Sequence, residues 1–319
     1  MSTVAAVDCG TNSIRLLIAR VGGDDTGDGG LVDVHREMRV VRLGEGVDAT
    51  GEFTAQALAR TRAALADYTT VMEANGVTAV RMVATSATRD AGNRDEFFAM
   101  TRELLGRVSE GAVAEVITGD EEARLSFAGA VGEFDPAHGP FVVTDLGGGS
   151  TEVVLGEADS GVSAAFSTNI GCVRLTERVL HSDPPTADEV ARARDVAAAE
   201  LARAFAVVPV EQARTWVGVA GTMTTLAALA LDLPTYDAGR IHRSRIPLAD
   251  LTEVCERLVS MTRADRAALG PMHPGRVDVI GGGSLVTLEL ARVFAERAGI
   301  TELVVSEHDI LDGIALSIS

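Results

Sequence analysis

Asp8, Thr11, Asn12, Ser13 and Arg15 stand close together in "VDCGTNSIR", where an apolar, β-branched run breaks and then resumes. A hairpin turn accounts for Gly10 and Asn12, which tolerate positive φ. It leaves the carboxylate, hydroxyls, amide and guanidinium unexplained, and all of these can hold a phosphate or a metal-bound water. The pattern returns in "VTDLGGGSTE", residues 143–152, at an offset of 137, so that Asp8 falls on Asp145, Gly10 on Gly147, Ser13 on Ser150 and Arg15 on Glu152. Gly147, Gly148 and Gly149 let the backbone approach a ligand closely, so that successive N–H groups, with Ser150 and Thr151 beside them, can face phosphate oxygens. Asp145 and Glu152 are placed to reach a magnesium ion or its waters. A bulge or a flexible turn is the alternative for three glycines in a row.

Two further glycine stretches, "AGT" at 220–222 with Gly221 and Thr222, and "GGGS" at 281–284, each precede a helical pattern. Free N–H groups at a helix start attract anions, and the same residues serve equally as ordinary helix starts. In "GDEEARL", residues 119–125, the acidic run suits the first turn of a helix, where its charge opposes the dipole.

These residues need a frame of strands. Strand-like runs at "TVAAVDC", "IRLLIARV", "LVDVHREMRVVRL" and "VTAVRMVAT" alternate with helical periodicity over Thr54 to Asn75 and Arg94 to Val108, an α/β pattern. The acidic "GGDDTGDGG", residues 22–30, reads as a solvated hairpin tip. Beyond the second turn, a strand is expected near Ser163 to Asn169, a helix over Asp188 to Ala206, and a strand, Gly-Thr turn and helix in "TWVGVAGTMTTLAAL". "RVDVIGGGSLVTLELARVFAERAG" reads as a strand to Ile280, three glycines, Ser284 as N-cap and a helix to about Ala298. A strand and a short helix close the chain. The repeat of strand, polar glycine turn and strand predicts a duplicated lobe, each copy presenting its turn to a shared cleft. The expected domains are 1–131, with 304–319 packing back on it, and 132–303.

Composition narrows the function classes. The chain has 319 residues, 46% hydrophobic and 23% charged, as in a soluble enzyme, and its net charge of −18 argues against a broad nucleic-acid surface. All 28 basic residues are Arg, which suits bidentate phosphate contacts. "GRIHRSRI", residues 239–246, gathers Arg240, His242, Arg243 and Arg245 as a candidate guide for a polyanion, or as an exposed loop. The apolar stretch from Trp216 is broken by Gly and Thr and ends at Asp232, so no membrane span is expected. No secretory signal is visible and the three cysteines lack paired spacing, so a cytoplasmic protein is expected.

With "VDCGTNSIR", "ATSATRDA", "ITGDEEARL", "VTDLGGGSTE" and "GVAGTMTTL" in this order, nearly the whole chain resembles the exopolyphosphatase and guanosine pentaphosphatase family. The resemblance implies two ribonuclease-H-like lobes of the actin-like superfold around a central cleft. It departs from the usual Gly-Ser-Asn-Ser of the first turn in having Thr11, which keeps the hydroxyl, and it lacks the helical half that long members add. It implies Glu122 as the catalytic glutamate and Arg89 as its arginine. Thr11, Asn12, Ser13, Arg15, Gly147, Gly148, Gly149, Ser150, Thr151, Gly221 and Thr222 would bind substrate, and Asp145, Glu152 and Asp8 would hold Mg2+ or Mn2+. The activity it implies is release of orthophosphate from the end of inorganic polyphosphate, with the 5′ γ-phosphate of guanosine pentaphosphate as the neighbouring substrate; a homodimer is common among relatives. A kinase of the same superfold, or a silent sensor of polyphosphate or alarmone, would use similar residues, and phosphate release separates the three.

Overall fold

The computed structural model describes residues 2–21 and 31–318; the acidic stretch 22–30 lies outside them. The chain forms two compact units, Met1–Leu125 with Ile310–Ser319, and Ser126–Asp309.

Unit 1 carries β1 (Ser2–Cys9), β2 (Ser13–Val21), β3 (Leu31–Val40), α1 (Val47–Thr50), α2 (Ala55–Ala74), β4 (Ala79–Ala84), α3 (Ser86–Asp90), α4 (Arg94–Leu105) and β5 (Glu115–Val116). The sheet order is β3-β2-β1-β4-β5; the first three strands are antiparallel, and β4 and β5 run parallel to β1. Central β1 is buried almost along its length, as a strand covered on both faces must be. Ala5, Val7, Ile14 and Leu16 pack with Leu65, Tyr68 and Phe97 of α2 and α4. Ala6, Leu17 and Ala19, of opposite parity, pack with Ile310, Leu311 and Ile314 from the end of the chain. Each fully buried Val, Leu, Ile or Phe among them contributes about 1.5–3 kcal/mol. The Thr54 hydroxyl caps α2 by accepting from the Ala57 amide.

The chain passes into unit 2 within α5 (Gly119–Val131), followed by β6 (Phe141–Leu146), β7 (Thr151–Glu157), β8 (Gly161–Thr168), α6 (Cys172–Val179), α7 (Ala187–Phe205), β9 (Thr215–Val219), α8 (Ala220–Ala230), α9 (Ala238–Ile241), β10 (Arg245–Pro247), α10 (Leu248–Ser260), α11 (Arg263–Ala267), α12 (Ile280–Ala298) and β11 (Glu302–Val305), before α13 (Ile310–Leu316) closes unit 1. Its sheet, β8-β7-β6-β9-β11-β10, repeats the first: three antiparallel strands, two parallel ones, and β10 added antiparallel at the edge. The two sheets are therefore the same ribonuclease-H-like arrangement met twice, an α/β fold built on two mixed sheets.

Three details differ from the sequence reading. No strand precedes the glycines of 281–283: residues 274–279 are turns, α12 starts at Ile280, and Ser284 is a buried residue inside the helix rather than its N-cap. The glycines serve helix packing, because a β-carbon at Gly282 would sit 2.5 Å from the Thr176 hydroxyl, and one at Gly283 would sit 2.7 Å from the Thr222 methyl. Residues 304–309 lie in unit 2, since β11 pairs with β9, so only α13 packs on unit 1. The Gly-Thr turn after β9 is absent, and α8 begins directly at Ala220, whose φ is +70°.

Candidate active site

In unit 1 the first polar turn is closed by the Gly10 amide donating to the Ser13 carbonyl at 3.0 Å. The Thr11 carbonyl accepts from the Gly44 amide and the Asn12 carbonyl from those of Val41 and Arg42, at 2.8–3.0 Å. In a trans peptide the N–H points opposite to the C=O, so the amides of Asn12 and Ser13 face away from that supporting segment. Gly44 is needed there, since a β-carbon would collide with the Thr11 methyl. Asp8 and Arg15 lie directly opposite each other on β1 and β2, and Arg15 donates to Asp8 Oδ2 from Nε at 3.0 Å and Nη2 at 2.7 Å.

The same unit separates the two neighbouring glutamates. Thr118 starts α5: its hydroxyl accepts from the Glu121 amide and its carbonyl from the Glu122 amide. Consecutive helical residues are about 100° apart. Glu121 accepts from Arg81, whereas buried Glu122 accepts from Arg89 Nη1 at 2.7 Å, a donor that also reaches the Ile117 carbonyl at 3.1 Å. Arg89 stands near the end of the short α3, which β4 leads into.

In unit 2 the second turn copies the first, with the Gly147 amide donating to the Ser150 carbonyl at 3.1 Å. Here the support is the start of α6. The Cys172 amide donates to the Gly147 carbonyl, and the Val173 and Arg174 amides donate to the Gly148 carbonyl, at 2.9–3.0 Å. The amides of Gly148 and Gly149 consequently point away from α6. Gly171 permits this contact, because a β-carbon there would lie 2.5 Å from the Gly148 carbonyl. Asp145 and Glu152 face each other across β6 and β7 as Asp8 and Arg15 do across β1 and β2. Both are buried. Ser126 donates to Asp145 Oδ2 at 2.5 Å and Ser167 to Glu152 Oε1 at 2.7 Å. Thr151 is spent on structure, its hydroxyl donating to the Ile170 carbonyl.

Gly221 and buried Thr222 lie in the first turn of α8. The Arg276 guanidinium lies over Gly221 so closely that no β-carbon fits, and it donates to the Thr225 hydroxyl at 3.1 Å. Sequence reasoning missed Arg276, the orienting Ser126 and Ser167, and the buried Arg174 on α6. No local pattern marks them; each meets its turn only through the fold. In the basic segment, Arg245 pairs with Glu302 at 2.5 Å and Arg243 stacks 5.7 Å from the Phe134 ring centre, so neither presents an unengaged charge to a polyanion.

Residues 23–318 match the Ppx/GppA phosphatase family. The chain is 64% identical over 319 residues to Exopolyphosphatase 2 of Mycobacterium tuberculosis, covering 100% of this chain and 99% of that one. Among solved structures, an exopolyphosphatase-like protein is 42% identical with a TM-score of 0.91, covering 99% of this chain and 98% of that one. The Aquifex aeolicus member of the Ppx/GppA family is 31% identical with a TM-score of 0.78, covering 99% and 97%. The chain belongs to the Ppx/GppA phosphatase family, a family of hydrolases. No helix among the described residues is long and apolar enough to cross a membrane.

Proposed function

We propose that this protein is an exopolyphosphatase, which hydrolyses the terminal phosphoanhydride of inorganic polyphosphate and releases orthophosphate. The observation that carries the reading is the full-length 64% identity to a protein named Exopolyphosphatase 2; the side-chain arrangement of each unit supports it. Phosphoryl transfer asks little covalent chemistry of a protein and depends on positioning and on neutralising the equatorial oxygens. Within unit 1 the groups suited to this are the amides of Asn12 and Ser13, the Thr11 hydroxyl, Arg15 and the Arg89–Glu122 pair; within unit 2 they are the amides of Gly148 and Gly149, Ser150 and the start of α8 at Gly221 and Thr222. Glu122 takes the proton of the attacking water as its oxygen bonds to the terminal phosphorus. The bond from that phosphorus to the bridging oxygen breaks, and the shortened chain leaves with the electron pair. Arg89, which donates to Glu122 at 2.7 Å, orients that carboxylate and stabilises the negative charge of the transferring group.

A divalent cation fits Asp145 and Glu152. The two buried carboxylates face each other across β6 and β7, and their all-oxygen donor set, oriented by Ser126 and Ser167, suits Mg2+ or Mn2+. Such an ion supplies charge neutralisation to the phosphate. Asp8, grouped with this pair on sequence, has its charge assigned first to holding Arg15. The three cysteines are free and buried, which fits the cytoplasmic placement proposed here.

The test is phosphate release and equilibrium polyphosphate binding by Glu122→Gln and Glu121→Gln. A general base contributes about 10²–10⁴-fold, so Glu122→Gln is expected to lose at least about a hundredfold in turnover with affinity nearly unchanged, while Glu121→Gln stays mild. A dead Glu121→Gln with an active Glu122→Gln reverses the assignment. If the wild type releases phosphate from neither polyphosphate nor guanosine pentaphosphate, the hydrolase reading fails.

A further inference from the structure

Unit 2 gathers a second set of ligating side chains far from either glycine turn in sequence. Glu133 follows α5, His242 ends α9, and His308 follows β11; one donor atom from each lies within 4.8 Å of the other two. Among the described residues this is the group of histidine and acidic side chains that meets so closely. His242 Nε2 is 3.0 Å from Glu133 Oε2, His308 Nδ1 is 3.4 Å from Glu133 Oε1, and the two imidazole rings are 4.6 Å apart. The backbone beneath is fixed. Ile241 is fully buried, buried Ser306 donates its amide to the Gly218 carbonyl, and the Ser306 hydroxyl accepts from the His308 amide.

We propose that Glu133, His242 and His308 form a site for a divalent transition metal of the Zn2+ class, with the remaining position open to water. The donor set is two imidazoles and a carboxylate, as in open tetrahedral zinc sites. Ligands about 2 Å from a tetrahedral ion are about 3.3 Å from one another, and His242 Nε2 and His308 Nδ1 already lie 3.0 and 3.4 Å from the two oxygens of the Glu133 carboxylate. Hard cations such as Mg2+ prefer oxygen donors and leave such a site to Zn2+. Burial, together with the neighbouring charges of His308 and Arg243, pushes the His242 ring below its ordinary value against the pull of Glu133. Burial works to raise the Glu133 carboxyl, but the His242 hydrogen bond and the neighbouring positive groups outweigh it and hold it below its ordinary value.

The ring tautomer gives the proposal a signature. Without metal, His242 Nδ1 accepts from the Glu307 amide at 3.2 Å, so the ring proton sits on Nε2 and is donated to Glu133. A metal at Nε2 requires that proton to pass to Nδ1, with no net change in ring charge, and the long Glu307 bond is given up. The site also binds the segments on which the chain enters and leaves unit 2, since Glu133 follows α5 and His308 immediately precedes Asp309, so loading stabilises unit 2 against unfolding.

The experiment titrates Zn2+ into the full chain against a chromophoric chelator, with Mg2+ in excess to occupy carboxylate sites. Wild type is expected to bind one Zn2+, to show a raised unfolding temperature, and to switch the nitrogen-15 pattern of His242 from the Nε2–H to the Nδ1–H tautomer. Removing outer-shell partners of a metal site costs about 10–100-fold in affinity, so loss of a ligand in His242→Ala, His308→Ala or the exposed Glu133→Gln is expected to cost at least tenfold. His273→Ala, outside the cluster, is the matched control. The proposal is overturned if wild type binds no Zn2+ in excess Mg2+, or if the three cluster variants bind as wild type does. Polyphosphate hydrolysis is not the readout, so this failure is distinct from failure of the proposed function.

Discussion

The two polar turns share a backbone and differ in charge. In each, a glycine amide donates to a serine carbonyl three residues on, and a residue of the first strand faces a residue of the second across an antiparallel pair. In unit 1 that pair is Asp8 with Arg15, and it neutralises itself. In unit 2 it is Asp145 with Glu152, two like charges held in place by serine hydroxyls. One position, Arg15 against Glu152, thus separates a turn that sets a guanidinium opposite its aspartate from one that sets a second carboxylate there. The supports differ as well: the first turn rests on the 41–44 segment, the second on the amides that begin α6.

The largest expected difference in stability concerns those supports. At Gly171 a β-carbon meets the backbone of Gly148, which cannot move without displacing the turn; at Gly44 it meets the methyl of Thr11, a side-chain end. Overpacking a close contact costs about 1–3 kcal/mol. Gly171→Ala is expected at the upper end with loss of turnover, and Gly44→Ala at the lower end, as read by urea denaturation and phosphate release. Equal costs would show that the two supports are equally yielding.

The charge difference carries the next prediction. With cations removed by chelator, Asp8→Asn is expected to destabilise by about 1–3 kcal/mol, because the Arg15 guanidinium loses its charged partner. Asp145→Asn, which removes one of two facing carboxylate charges, is expected to cost less than Asp8→Asn. Thermal unfolding in chelator reads both, and destabilisation by both alike would remove the contrast.

The likeness of the two turns was legible in the sequence, because a period-two apolar run broken by Gly and polar residues keeps its spacing when copied; β1, β2, β6 and β7 fall where the pattern put them. The helices at Ala55–Ala74 and Ala187–Phe205 also announced themselves through periodicity, and the structure adds Thr54 and Thr186 as their caps. Gly281 to Ser284 misled because the local pattern of a glycine turn and that of a close helix crossing are the same; only Thr176 and Thr222, contributed by α6 and α8, decide between them. The roles of Glu121 and Glu122 could be divided by helix rotation alone, whereas their partners Arg81 and Arg89 come from elements folded beside α5. Ser126, Ser167 and Arg276 were invisible for the same reason.

A smaller effect tests the orienting hydroxyls. Ser126→Ala removes the donor to Asp145 and leaves the carboxylate, so cation affinity is expected to fall about 10-fold, the lower end for outer-shell partners. A similar fall in Ser167→Ala, measured by the cation concentration giving half-maximal phosphate release, would assign equal weight to both members of the pair.

The central claim is that the turn of unit 2, and not that of unit 1, supplies the principal cation ligands. Equilibrium Mn2+ binding, followed by the loss of the free-ion electron paramagnetic resonance signal, measures it directly on wild type, Asp145→Asn and Asp8→Asn. Loss of a ligand is expected to exceed the roughly tenfold cost of losing an orienting partner, so Asp145→Asn should weaken Mn2+ by more than tenfold while Asp8→Asn stays within a few fold of wild type. An Asp8→Asn variant that loses Mn2+ as severely as Asp145→Asn, or an Asp145→Asn variant that binds as wild type, would contradict the account.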